Sequence, residues 1–202
     1  MPTTLEADGL SSGSFDCSWM LQSLPLKFSR KVSFSGAAIR FAYSLKNLES
    51  KSTPFQWAWH PLFAFVPGDE MRFAEKIGRC FSPDGAEQSW PEVLPGQDLT
   101  KGELANADPS CAKVFVGPLS DSTVAICSGK SVLRMKWDTT QFPWAGIWIN
   151  GGAWKGLSHW AIEPTNMPYD RLSDGDLDSD LSKLAPEETR KWEVTVSIET
   201  AT

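Results

Sequence analysis

The chain has 202 residues, 41% of them hydrophobic, enough for one domain (residues 1–202) with a sizeable core, and its net charge of −6 weighs against a nucleic-acid partner. No apolar stretch approaches the ~18 residues of a membrane span, and no run of Lys and Arg is long enough to follow a phosphate backbone. The opening "MPTTLEADGLSSGS" has neither the basic nor the apolar segment of a signal peptide, so a cytoplasmic location is expected. Cys17, Cys80, Cys111 and Cys127 are scattered, without CxxC spacing, and read as buried thiols in a reducing compartment. Ten tryptophans are many for this length, and several stand beside Gly, Asn or His. Indole rings build cores, but they also form flat platforms for the C–H faces of ligands.

In chain order, strict alternation predicts half-buried strands. In "LKFSRKVSF" Leu26, Phe28, Val32 and Phe34 share a face, with Arg30 the exception among them. In "AIRFAYSLKN" Ile39, Phe41, Tyr43 and Leu45 alternate with polar or small residues. Further strands are expected over 55–65, 112–117, 122–128, 131–138, 144–150 and 157–163. "KWEVTVSIE" closes the series with Trp192, Val194, Val196 and Ile198 on one side. Turn signals fall at "PGD" (67–69), "NGG" (150–152) and "APEE" (185–188). Residues 82–110 and 170–184 read as polar excursions. The first is long enough to suggest that it covers something. The aspartates of the second lack the glutamate that would complete a calcium loop. No long amphipathic helix is found, which leaves an all-β stack of sheets.

Two motifs carry chemistry. If "FQWAWHPLFAF" (55–65) is a strand, Phe55, Trp57, Trp59 and Phe63 face the core, and Gln56, Ala58, His60, Leu62 and Ala64 face the other way. His60 is then either a core histidine satisfied by one hydrogen bond or an acid on a pocket floor. In "GLSHWAIEPTNMPYD" (156–170), His159, Ala161 and Glu163 share one face, with Trp160 and Ile162 on the other. A carboxylate ending an apolar strand is costly unless it is paired or functional, so Glu163 is an edge salt bridge or a base. Just before it, "WAGIWING" alternates Trp148 and Asn150 with the core residues Ile147 and Ile149. Gln56, Trp148 and Asn150 are the candidate substrate-binding side chains.

Together, "LKFSRKVSFSGAAIRFAYSLKNLESKSTPFQWAWHPLFAF", "GIWING", "SHWAIEPTNMPYDRL" and "LAPEETRKWEVTVSIE" resemble the aldose 1-epimerase (galactose mutarotase-like) family across roughly residues 20–200. The resemblance implies that family's large antiparallel β-sandwich, lacking its N-terminal strands, with sugar bound on a concave sheet face. It implies cofactor-independent isomerisation of a monosaccharide or sugar phosphate, with His60 as general acid, Glu163 as general base, and no metal. The two side chains are then expected one pyranose ring apart, too far for a direct hydrogen bond. That family's substrate-binding arginine, its second histidine and its middle-region aspartate have no counterpart here. The alternative reading is a weakly catalytic or non-catalytic carbohydrate-binding domain.

Overall fold

Period-two patterning needs two apolar faces pressed together, and the chain meets that need with sheets alone. The computed structural model describes residues 4–7, 12–22, 24–93, 96–102, 111–177 and 179–200. The first strands are β1 (Thr4–Ala7), β2 (Ser12–Met20), β3 (Leu26–Ser35), β4 (Ala38–Asn47), β5 (Thr53–Pro54) and β6 (Leu62–Ala64). Next come β7 (Glu70–Phe73), β8 (Arg79–Phe81), β9 (Glu87–Ser89), β10 (Cys111–Val116) and β11 (Val124–Ser128). The last are β12 (Ser131–Trp137), β13 (Trp144–Gly151), β14 (Ser158–Thr165), β15 (Lys183–Leu184) and β16 (Thr189–Thr200). A 3-10 turn at Leu172–Asp174 is the only helical element among the described residues.

An eight-stranded sheet runs β1-β2-β3-β4-β16-β12-β11-β7, and a six-stranded sheet runs β6-β14-β13-β10-β8-β9. A two-stranded ribbon pairs β15 with β5, and every named pairing is antiparallel. The core unites Tyr43, Leu45, Met135 and Val194 of the larger sheet with Val114, Ile147, Trp160 and Ile162 of the smaller. The result is the all-β sandwich expected from the alternation. β1 and β2, which precede Leu26, were not foreseen.

The segment 55–65 departs from expectation. It is not one strand: Ala58 makes an isolated bridge to Thr165, and regular pairing resumes only at β6. Pro61 lacks the N–H that a continuous ladder would need. The alternation survives the break. Phe55 is buried, Trp57 lies 5.0 Å from Tyr43 and Trp59 lies 4.9 Å from Phe41 (ring centroids), while Ala58 and His60 are exposed.

The described part of the long excursion packs over the core. Trp90 and Val93 pack against it, and buried Leu99 accepts the Trp160 indole N–H at 3.1 Å. Residues 94–95 and 103–110 of that stretch lie outside the described residues. The strand-ending Asn47 is fully buried and organises the β4–β5 turn. Its amide donates to the carbonyls of Lys51 and Ala185, and its oxygen accepts from Glu49 N–H and Thr53 Oγ1.

The cysteine expectation needs correction. All four thiols are free, but only Cys80 is buried; Cys111 is exposed, and the other two are half-buried. Burial pushes the Cys80 thiol up to about 11.

Candidate active site on the smaller sheet

The candidate site lies on the face of the six-stranded sheet turned away from the larger one. Alternation places Lys113 opposite the core residues Val114 and Val116, and Glu163 opposite Ile162. Register does the rest: Lys113 pairs with Trp148, Trp148 with Ala161, and Gly146 with Glu163. The glycine leaves the carboxylate room, since a Cβ there would sit 3.2 Å from Glu163 Oε2.

His60 reaches this face because its segment is tied along the end of β14. Trp59 N–H donates to the Pro164 carbonyl at 3.2 Å. Buried Asn166 accepts from Trp57 N–H at 2.9 Å and donates to the carbonyls of Phe55 and Leu181. These bonds set His60 Nε2 3.1 Å from Glu163 Oε1. Oε1 has no aligned hydrogen-bond donor, so the contact is a close approach and not a formed hydrogen bond. The expected ring-wide gap is therefore corrected: the two side chains touch. Their exposure differs: the His60 side chain is 49% exposed and that of Glu163 only 5%.

Lys113, which sequence reasoning missed, donates to Glu163 Oε2, and its Nζ lies 3.6 Å from Asp170 Oδ1. In sequence it reads as a lone polar residue on a strand, and only its phase against Val114 hints at the shared face. The carboxylate is thus held by a lysine on one oxygen and approached by an imidazole on the other. Trp148 stands beside them, its ring 5.7 Å from that of His60, with its N–H donated to Cys111 Sγ. This set contains a protonatable ring, a fixed carboxylate, a cation and a half-exposed indole. It can move a proton on and off a hydroxylated ring held against the indole.

No protein-family profile matches this sequence, and no curated protein sequence matches it. Solved structures do. The galactose 1-epimerase of Lactobacillus acidophilus NCFM superposes with a TM-score of 0.72 at 12% identity, over 99% of this chain and 66% of that one. A galactose mutarotase-like protein from Lactobacillus casei gives 0.66 at 15%, over 98% and 73%. The fold is that of the galactose mutarotase-like proteins. The chain spans about two thirds of the length of these structures. The same mutarotase-like fold matches a third of a TPR-domain protein from Parabacteroides distasonis, with a TM-score of 0.68 at 10% identity and 98% of this chain covered.

Within this mutarotase-like fold the other two sequence candidates have internal duties. Asn150 lies on the expected face but is fully buried beneath the turn that follows it. Its amide donates to the carbonyls of Trp154 and Leu157, and its oxygen accepts Trp154 N–H at 2.8 Å. No surface of this amide is left for a sugar hydroxyl. Gln56 donates its amide N–H to the Tyr169 carbonyl and so ties down the loop that brings Asp170 to Lys113. Of the five named residues, the structure brings together His60, Glu163 and Trp148.

Proposed function

We propose that the chain is an isomerase of the aldose 1-epimerase type, interconverting the anomers of a monosaccharide, free or phosphorylated, without a cofactor. The carrying observation is the 3.1 Å approach of His60 Nε2 to a buried carboxylate beside Trp148. Glu163 takes the proton of the anomeric hydroxyl while His60 gives one to the ring oxygen. The ring opens to the aldehyde, the C1–C2 bond rotates, and closure from the other face returns both protons. A sugar entering the site parts the pair. The exposed imidazole swings to the ring oxygen, and Glu163, anchored by Lys113, stays where it is. Four free thiols, one of them exposed, support a reducing cytoplasm as the location.

The direct His60–Glu163 contact also favours a second reading, a carbohydrate-binding domain whose carboxylate is held by Lys113 on one oxygen and crowded by His60 at the other. The recurrence of the fold inside a TPR-domain protein supports keeping it, because a fold does not carry its activity with it. Polarimetry on glucose, galactose and glucose 6-phosphate separates the two. The epimerase reading expects wild-type exchange above buffer and a loss of ~100-fold or more in His60→Asn and in Glu163→Gln. Sugar binding without any exchange above buffer leaves the binding domain.

A further inference from the structure

Trp154 stands outside the acid–base pair, near the tip of the turn joining β13 to β14, and 43% of it is exposed. A lone exposed indole on a loose turn needs no explanation. This turn is not loose. The buried Asn150 side chain holds it through three hydrogen bonds, and Gly152 N–H closes it on the Leu157 carbonyl at 3.0 Å. The turn thereby carries the indole to the side of Trp148, with ring centroids 6.1 Å apart.

His159 lies beside both indoles, 4.9 Å from the Trp148 ring and 6.0 Å from that of Trp154. It is 4% exposed, and its Nε2 is buried with no hydrogen-bond partner. A buried polar atom in that state is destabilising. Packing alone does not ask for an imidazole there. A sugar hydroxyl both donates and accepts, so it satisfies Nε2 in either tautomer once the exposed Trp154 ring tilts aside. Two indoles bordering one unsatisfied ring nitrogen have the make-up of a saccharide subsite, with apolar walls and one polar contact.

We propose that the Trp148–Trp154 pair is a second saccharide subsite, so that the preferred ligand is a reducing disaccharide or longer saccharide. This rests on the reading of His60 and Glu163 as an aldose site. The reacting ring needs a free anomeric hydroxyl, so it is the reducing end. The next ring, joined through another hydroxyl, lies along the indoles and places a hydroxyl on His159.

The test compares glucose with maltose, cellobiose and lactose, which all end in a reducing glucose. Titration calorimetry gives binding, polarimetry gives anomer exchange, and far-UV spectra check the fold of wild type, Trp154→Ala and Trp154→Phe. At least one disaccharide should bind the wild type about tenfold more tightly than glucose, the effect expected of one stacked ring. Trp154→Ala should remove most of that preference and Trp154→Phe should keep most of it. Equal binding of glucose and all three disaccharides overturns the subsite, as does a Trp154→Ala loss that is the same for all four sugars. The outcomes also separate the two proposals. A Trp154-dependent disaccharide preference without exchange removes the epimerase and leaves the subsite. Exchange of glucose without any disaccharide preference does the reverse.

Discussion

Gly146 faces Glu163 across the β13–β14 register, and a Cβ built on it would lie 3.2 Å from Oε2 and 3.3 Å from Glu163 Cβ. The glycine makes the pocket in which the carboxylate sits. Gly146→Ala therefore presses on Glu163 and, just as closely, on the buried Phe115 ring, 3.2 Å from the same Cβ. We expect anomer exchange to fall at least tenfold and stability to fall by about 1–3 kcal/mol, with polarimetry and thermal melts as the two measurements.

Lys113 and His60 contact the same carboxylate, but their removal should differ sharply. Lys113→Met leaves a largely buried Glu163 without its anchoring cation, at a cost of roughly 3 kcal/mol. His60→Asn changes an exposed side chain, and stability should move by about 0.5 kcal/mol or less. Combining Lys113→Met with Glu163→Gln should cost less than the sum of the single changes. Denaturant melts of the four proteins give the coupling directly, and strict additivity would remove the pair from the account.

Asn166 positions His60 without touching it. Asn166→Ala leaves Trp57 N–H and the carbonyls of Phe55 and Leu181 without their partner. The expected loss is roughly 3 kcal/mol. At a temperature where the variant is still folded, exchange should fall further than that of Gln56→Ala, which frees only the Tyr169 carbonyl.

Burial, and then the nearby charge of His60, hold the His159 imidazole below its usual range. The unfolded chain takes up that proton near pH 6.5, and the folded protein does so only lower. Below about pH 6.5 the unfolded state therefore binds more protons, and stability falls as the pH drops toward the folded value. Melting temperatures between pH 7.5 and 5.5 should decline in wild type, and His159→Gln should flatten the decline.

Much of this was legible in the residues. Alternation places β3, β4, β10 to β14 and β16, and it sorts Ile147 and Ile149 from Trp148 correctly even where the register was unknown. It also orients Trp57, Trp59 and His60 although their segment is not a continuous strand, because side chains keep alternating wherever the backbone stays extended. What parity cannot say is which polar residues on an open face stay open. Asn150 belongs to the "NGG" turn signal, and an amide at a turn often hydrogen-bonds its own backbone, as here. Lys113 escaped because its partnership depends on which strand lies beside β10, a fact of topology with no local trace. The His60–Glu163 contact was missed for a related reason. A substrate-sized gap is a requirement of the chemistry, and no residue pattern records how far two side chains reach toward each other across a sheet face.

The sheet order has a consequence for how the chain is made. β16 sits in the middle of the larger sheet, pairing Thr189 with Lys46 on one side and Val194 with Trp137 on the other. On the ribosome, β4 and β12 are complete long before Thr189–Thr200 emerges, and until then each has an open edge facing a missing neighbour. Closing that seam joins β16 to partners more than a hundred positions earlier in β4 and more than fifty earlier in β12, which makes it a slow step in assembly. A nascent or truncated chain halted before β16 would carry two strands, β4 and β12, each paired on one side only, and their open edges would be prone to pair with another copy.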